Sequence, residues 1–79
     1  MIQREIEVFD KKTENLVSII NITIPDEDLF CYFSEYVKKD PFLYYSYDLS
    51  IQDIIFFKKY ISLDFKIDIY DYVLSCSEI

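Results

Sequence analysis

Residues 3–10, "QREIEVFD", alternate with a period of two. This places Arg4, Ile6 and Val8 on one side of a strand and Glu5, Glu7 and Phe9 on the other. The polar run "KKTEN" at 11–15 reads as a hairpin loop, and without glycine it cannot be a tight primed turn. Residues 16–22, "LVSIINI", are nearly continuously apolar and β-branched, which predicts a buried or central strand. A β-hairpin is therefore expected to open the domain.

The period changes after Pro25. That proline suits a first helical turn, and Asp26, Glu27 and Asp28 complement the positive end of a helix dipole. Leu29, Phe33, Tyr36 and Val37 recur at helical spacing, and Lys38, Lys39 and Pro41 close the element. A first helix is expected over 25–39. Residues 40–50, "DPFLYYSYDLS", then crowd Phe42, Tyr44, Tyr45 and Tyr47 between acids. Their β propensity predicts a strand over 43–49, with Leu43, Tyr45 and Tyr47 on one face and Tyr44, Ser46 and Asp48 on the other.

Ser50 with Asp53 resembles a helix N-terminal cap, although Glu or Gln is the usual partner in a capping box. A second helix follows through "IQDIIFFKKYI", burying Ile51, Ile54, Ile55 and Ile61 with part of the Phe pair. Phe56 and Tyr60 form either a small surface patch or the edge of a wide apolar stripe. Residues 63–69 alternate strictly and read as a short strand or an extended connection. A last strand is expected near 71–76. The order is ββαβαβ over one domain spanning 1–79. The expected fold class is α+β, with a mainly antiparallel four-stranded sheet carrying two helices on one face and leaving the other uncovered.

Charge changes what such a domain is expected to meet. Fifteen acids against eight bases give a net charge of −7, with no histidine. That field opposes nucleic acid, where binding relies on Lys and Arg displacing counterions, and it disfavours anionic membranes. It favours either plain solubility or attraction of a basic protein. Six of the bases fall as the pairs Lys11–Lys12, Lys38–Lys39 and Lys58–Lys59. The acids of the strands and of the helix N-termini are left without sequence-local counterions, which concentrates the negative field near 26–28, 40, 48 and 64–71. The chain also lacks Gly, Ala and Trp and is rich in Ile, Lys, Tyr and Phe. Those residues have AT-rich codons, so base composition competes with selection as the source of the aromatics.

The same inventory argues against catalysis. Without histidine the commonest general base is absent, and serine or cysteine nucleophiles lack their standard partner. Without glycine no phosphate-binding loop or dinucleotide fingerprint exists. Cys31 and Cys76, 45 positions apart, do not make a zinc site, and the acids at 26–28 lack the register of a calcium loop. A pair of carboxylates for glycoside hydrolysis would have little room for a sugar cleft. No cofactor and no metal are expected. The start "MIQREIEVFD" has no apolar signal region, so a cytoplasmic setting with two free thiols is expected. No stretch approaches the length of a transmembrane helix.

Taken together, the "REIEVFDKKTENLV" hairpin, the acid-led helix, the central "DPFLYYSYDLS" and the "YDYVLSC" near the end resemble small immunity proteins. These are encoded beside polymorphic or contact-dependent growth-inhibition toxins in bacteria. The resemblance implies a cytoplasmic inhibitor that binds the C-terminal domain of a cognate toxin, often a nuclease with a basic cleft. It would act by covering the active site or an adjacent surface. Interface positions vary from toxin to toxin, so no contact residue carries over by motif. From charge and aromatic placement the expected contacts are Asp40, Tyr44, Asp48, Asp68, Tyr70 and Asp71, with Asp26, Glu27 and Asp28 behind them. The competing reading is a non-catalytic interaction module, including a homodimer, that uses its open sheet face or edge.

Overall fold

The computed structural model describes residues 2–78; Met1 and Ile79 lie outside the described residues. The elements are β1 (Ile2–Asp10), β2 (Leu16–Ile22), α1 (Asp26–Tyr32), α2 (Ser34–Val37), β3 (Tyr47–Asp48), α3 (Ile51–Phe57) and β4 (Tyr70–Glu78). All strand pairs are antiparallel, in the order β2-β1-β4-β3. The α+β class and the four-stranded sheet are as expected, with the first helix broken at Phe33 into α1 and α2.

The alternation in β1 decides how the layers stack. Ile6 pairs across the sheet with Ile20 and Leu74, and Val8 with Ser18 and Tyr72. On this face Ile6, Val8, Ile22, Tyr72 and Leu74 are buried against Leu29, Ile54, Phe56 and Phe57 of the helices and Phe33 between α1 and α2. Burying a side chain of that size contributes about 2 kcal/mol. The opposite face, with Glu5, Glu7, Phe9, Ile19, Asp48, Asp71 and Val73, has no buried residue among the described residues.

The hairpin turns without glycine by using Asp10. Its carboxylate accepts the amides of Lys12 and Thr13, and its carbonyl accepts the amide of Glu14. Glu14 takes the left-handed conformation that glycine would favour, with φ 61°.

Three local expectations are corrected. The run 16–22 forms β2 as an outer strand instead of a central one, with Leu16, Val17 and Ile19 about half exposed. The run 43–49 yields only the two residues of β3, because 40–46 form a loop. In α3 the buried face is Ile54, Phe56 and Phe57, while Ile51 and Ile55 face solvent. Phe56 stacks on Tyr32 of α1 at 4.0 Å, and this aromatic seam sets the rotation of α3. The expected cap is present: Ser50 and Asp53 exchange hydrogen bonds in a capping box, and Asp53 also accepts the Tyr32 hydroxyl at 2.9 Å. The run 63–69 is not a strand: residues 61–66 have no regular secondary structure and 67–69 form a turn closed by the Ile69 and Tyr70 amides on the Lys66 carbonyl. Among the described residues no helix is long and apolar enough to cross a membrane.

Candidate functional site

The loop between α2 and β3 is organised by two buried charged side chains. Asp40, only 6% exposed, accepts the amides of Tyr44 and Tyr45 at 3.0 Å and the Tyr47 hydroxyl at 2.6 Å. From β1, the Arg4 guanidinium donates to the carbonyls of Leu43 and Phe42, each at 2.6 Å. The Cys76 Sγ lies 3.5 Å from the Tyr44 carbonyl oxygen. Arg4 and Cys76 are themselves a cross-strand pair, so one rung of the sheet holds three consecutive loop carbonyls. Leu43 adopts φ 52° and drives its side chain fully into the core. Burial of the leucine offsets the roughly 1–2 kcal/mol cost of that backbone.

The electrostatics follow the geometry. Burial by itself would raise the Asp40 carboxyl, but the Tyr47 hydroxyl, the two amides and the Arg4 charge outweigh it and hold it below its ordinary value. Tyr47 is pushed up to about 12, first by burial and then by its hydrogen bond to the Asp40 carboxylate.

With its backbone polar groups tied inward, the loop turns its aromatics out. Phe42, Tyr44 and Tyr45 are 58%, 53% and 70% exposed. The rings of Phe42 and Tyr44 stack with centroids 5.5 Å apart. Together with Ile2, Asp26 and Phe30 they line a shallow depression of about 380 Å³. Its lining is mostly apolar, with the Asp26 carboxylate and the Arg4 guanidinium as its two charged groups.

A second concavity, about 640 Å³, lies where β3 and β4 meet the start of α3. Its walls include Phe9, Ile51, Ile54, Ile67 and Val73, and Asp48, Tyr70, Asp71, Glu14 and Lys11 also line it. Lys11 pairs with Asp71 at 2.9 Å across an exposed gap, an interaction worth about 0–1 kcal/mol.

The nine expected contact residues are thus divided. Tyr44 and Asp26 share the aromatic depression, and Asp48, Tyr70 and Asp71 share the groove. Glu27 and Asp68 are exposed outside both, and Asp28 accepts the Tyr60 hydroxyl at 3.0 Å. Asp40 is removed from the contact set: its carboxylate is buried and spent on the loop's own amides and Tyr47. Phe42, Tyr45 and Arg4 are the residues that sequence reasoning missed. The alternation that put Arg4 beside Ile6 and Val8 was the available signal, since an arginine on a core face needs buried acceptors. Among the described residues no group of three or more His, Cys, Asp or Glu is placed to hold a metal ion.

Residues 3–75 match the family model described as a domain of unknown function, DUF7683. The chain belongs to that family. The match takes in all of β2 and β3 and most of β1 and β4, with every helix, so the family unit is the folded domain itself. No curated protein and no solved structure matches the chain.

Proposed function

We propose that this protein is a non-catalytic immunity protein that binds and neutralises a basic toxin domain, covering its active site or an adjacent surface. The observation that carries this reading is the pre-organised aromatic loop. Phe42, Tyr44 and Tyr45 sit on a loop whose backbone is fixed by buried and part-buried hydrogen bonds, so little conformational entropy is lost when a partner covers them. Asp26 beside them, and Asp48, Tyr70 and Asp71 in the groove, supply carboxylates and a phenol for Arg and Lys of a basic partner. Glu27, Asp28 and Asp68 add to the field that speeds encounter. The reading needs no cofactor, no nucleic acid and no membrane, and it places the protein in the cytoplasm with the toxin's target.

Co-expression with the C-terminal domain of a toxin encoded next to this gene tests it. Growth rescue and a stoichiometric complex are expected, with association slowed by salt as steering is screened. Combined F42A, Y44A and Y45A substitutions should weaken the complex at least about 30-fold, the effect of losing one interface hot spot of about 2 kcal/mol. Unchanged affinity in that variant would move the contact surface elsewhere. A neighbouring domain that is neither toxic nor bound would overturn the function.

A further inference from the structure

We propose that β2 pairs edge to edge with β2 of a second copy, antiparallel about a two-fold axis at Ile20, forming a continuous eight-stranded sheet. The two outer strands of this sheet are treated very differently. β3 is two residues long, which is one of the ways natural edges are blunted. β2 has seven residues, hydrogen-bonds to β1 alone, and contains neither proline nor any charged side chain. β1, β3 and β4 each carry at least one carboxylate. Leu16, Val17 and Ile19 protrude beside the free edge. The register shift against β1 between Val8 and Phe9 leaves Val17 unpaired as a bulge, so regular pairing is confined to residues 18–22, whose centre is Ile20.

Charge selects the second copy as the occupant. An uncharged strand offers the lysines and arginines of a basic partner no ion pair. Two molecules of net charge −7 repel over most of their surfaces, and β2 is the strand on which neither presents a carboxylate. The nearest strand acids on the open face are Glu5 and Glu7, one strand behind, opposite Asn21 and Ile19. Across the proposed junction they stand three strand spacings from their counterparts, about 14 Å. That exceeds the screening length of about 8 Å at physiological ionic strength. On the core face the half-buried Ile20 meets its twin, extending the apolar row Leu74–Ile6–Ile20 across the axis. On the open face each Ile19 lies diagonal to the other, within side-chain reach.

Sedimentation of the full chain tests the pairing, with charge variants at Ile19. The wild type is expected to be a concentration-dependent dimer that tightens with salt, the opposite of the salt response of a complex with a basic toxin. I19K and I19E should each be folded by circular dichroism and monomeric, because like charges meet across the axis. Mixed in equal amounts they should recover the dimer. A wild type that stays monomeric at millimolar concentration overturns the proposal, as does an I19K protein that dimerises like wild type. A wild type monomeric alone whose toxin complex is abolished by I19K would also overturn it, assigning the edge to the toxin. Toxin rescue is read separately, so failure of the dimer leaves the immunity reading standing.

Discussion

β2 and the loop at 40–46 begin from similar material and end differently. Both runs are dense in β-branched or aromatic residues, and neither contains glycine. In β2 the backbone satisfies itself against β1 along an entire ladder, and its side chains are half left to solvent. In the loop the backbone satisfies itself against side chains, with Asp40 taking the amides and Arg4 the carbonyls. Apolar content therefore did not choose between strand and loop. The presence of buried charged partners did, because backbone groups must be paired wherever they are buried.

The contrast can be broken most forcefully at Arg4. R4A takes the guanidinium donors away from the buried Leu43 carbonyl and the part-buried Phe42 carbonyl, and urea unfolding should report a loss of about 3 kcal/mol. I19T in β2 should change stability by about 0.5 kcal/mol or less in the same assay. Comparable losses at the two sites would mean that the loop is not held by its polar lock. D40N comes next, with an expected loss of about 2 kcal/mol. Because the folded carboxyl is held low, its contribution is present above the unfolded carboxylate pKa near about 4 and is lost as pH falls through the lower folded value. The acid limb of stability should flatten in D40N.

Y47F sharpens the same point at the other end of the pH scale, with a loss of about 1 kcal/mol at neutral pH. The phenol is raised to about 12, so its contribution is complete below about 10 and disappears as pH climbs from there through the folded value. Wild type should lose stability over that alkaline window, and Y47F should lose less. A similarly small effect is expected in the turn leading into β2. E14G should stabilise by about 0.5 kcal/mol, since glycine takes φ 61° without strain but costs more entropy to order. Destabilisation on thermal melting would show that the Glu14 side chain has a role the turn geometry does not reveal.

The site was only partly legible. Tyr44 and Asp48 were found as outward residues because flanking charge and strand parity point the same way. Asp40 was misplaced, since nothing in "DPF" distinguishes a solvated aspartate from one that collects three donors. Tyr45 was expected on the same strand face as Leu43 and Tyr47. The left-handed turn at Leu43 breaks the alternation and leaves Tyr45 the most exposed of the loop aromatics.

What the sequence determined by itself was the hairpin, the cap at Ser50, the helix start after Pro25 and the core face of β1. Each of these rests on interactions between residues near in the chain, or on a period that any partner must respect. Only the tertiary structure decided that β4 rather than β2 would take the centre beside β1, that α3 would bury Phe56 rather than Ile55, and that an arginine at position 4 would hold carbonyls 38 and 39 residues away. Those outcomes depend on which surfaces meet after the chain closes, and no local pattern of apolar and polar residues carries that information.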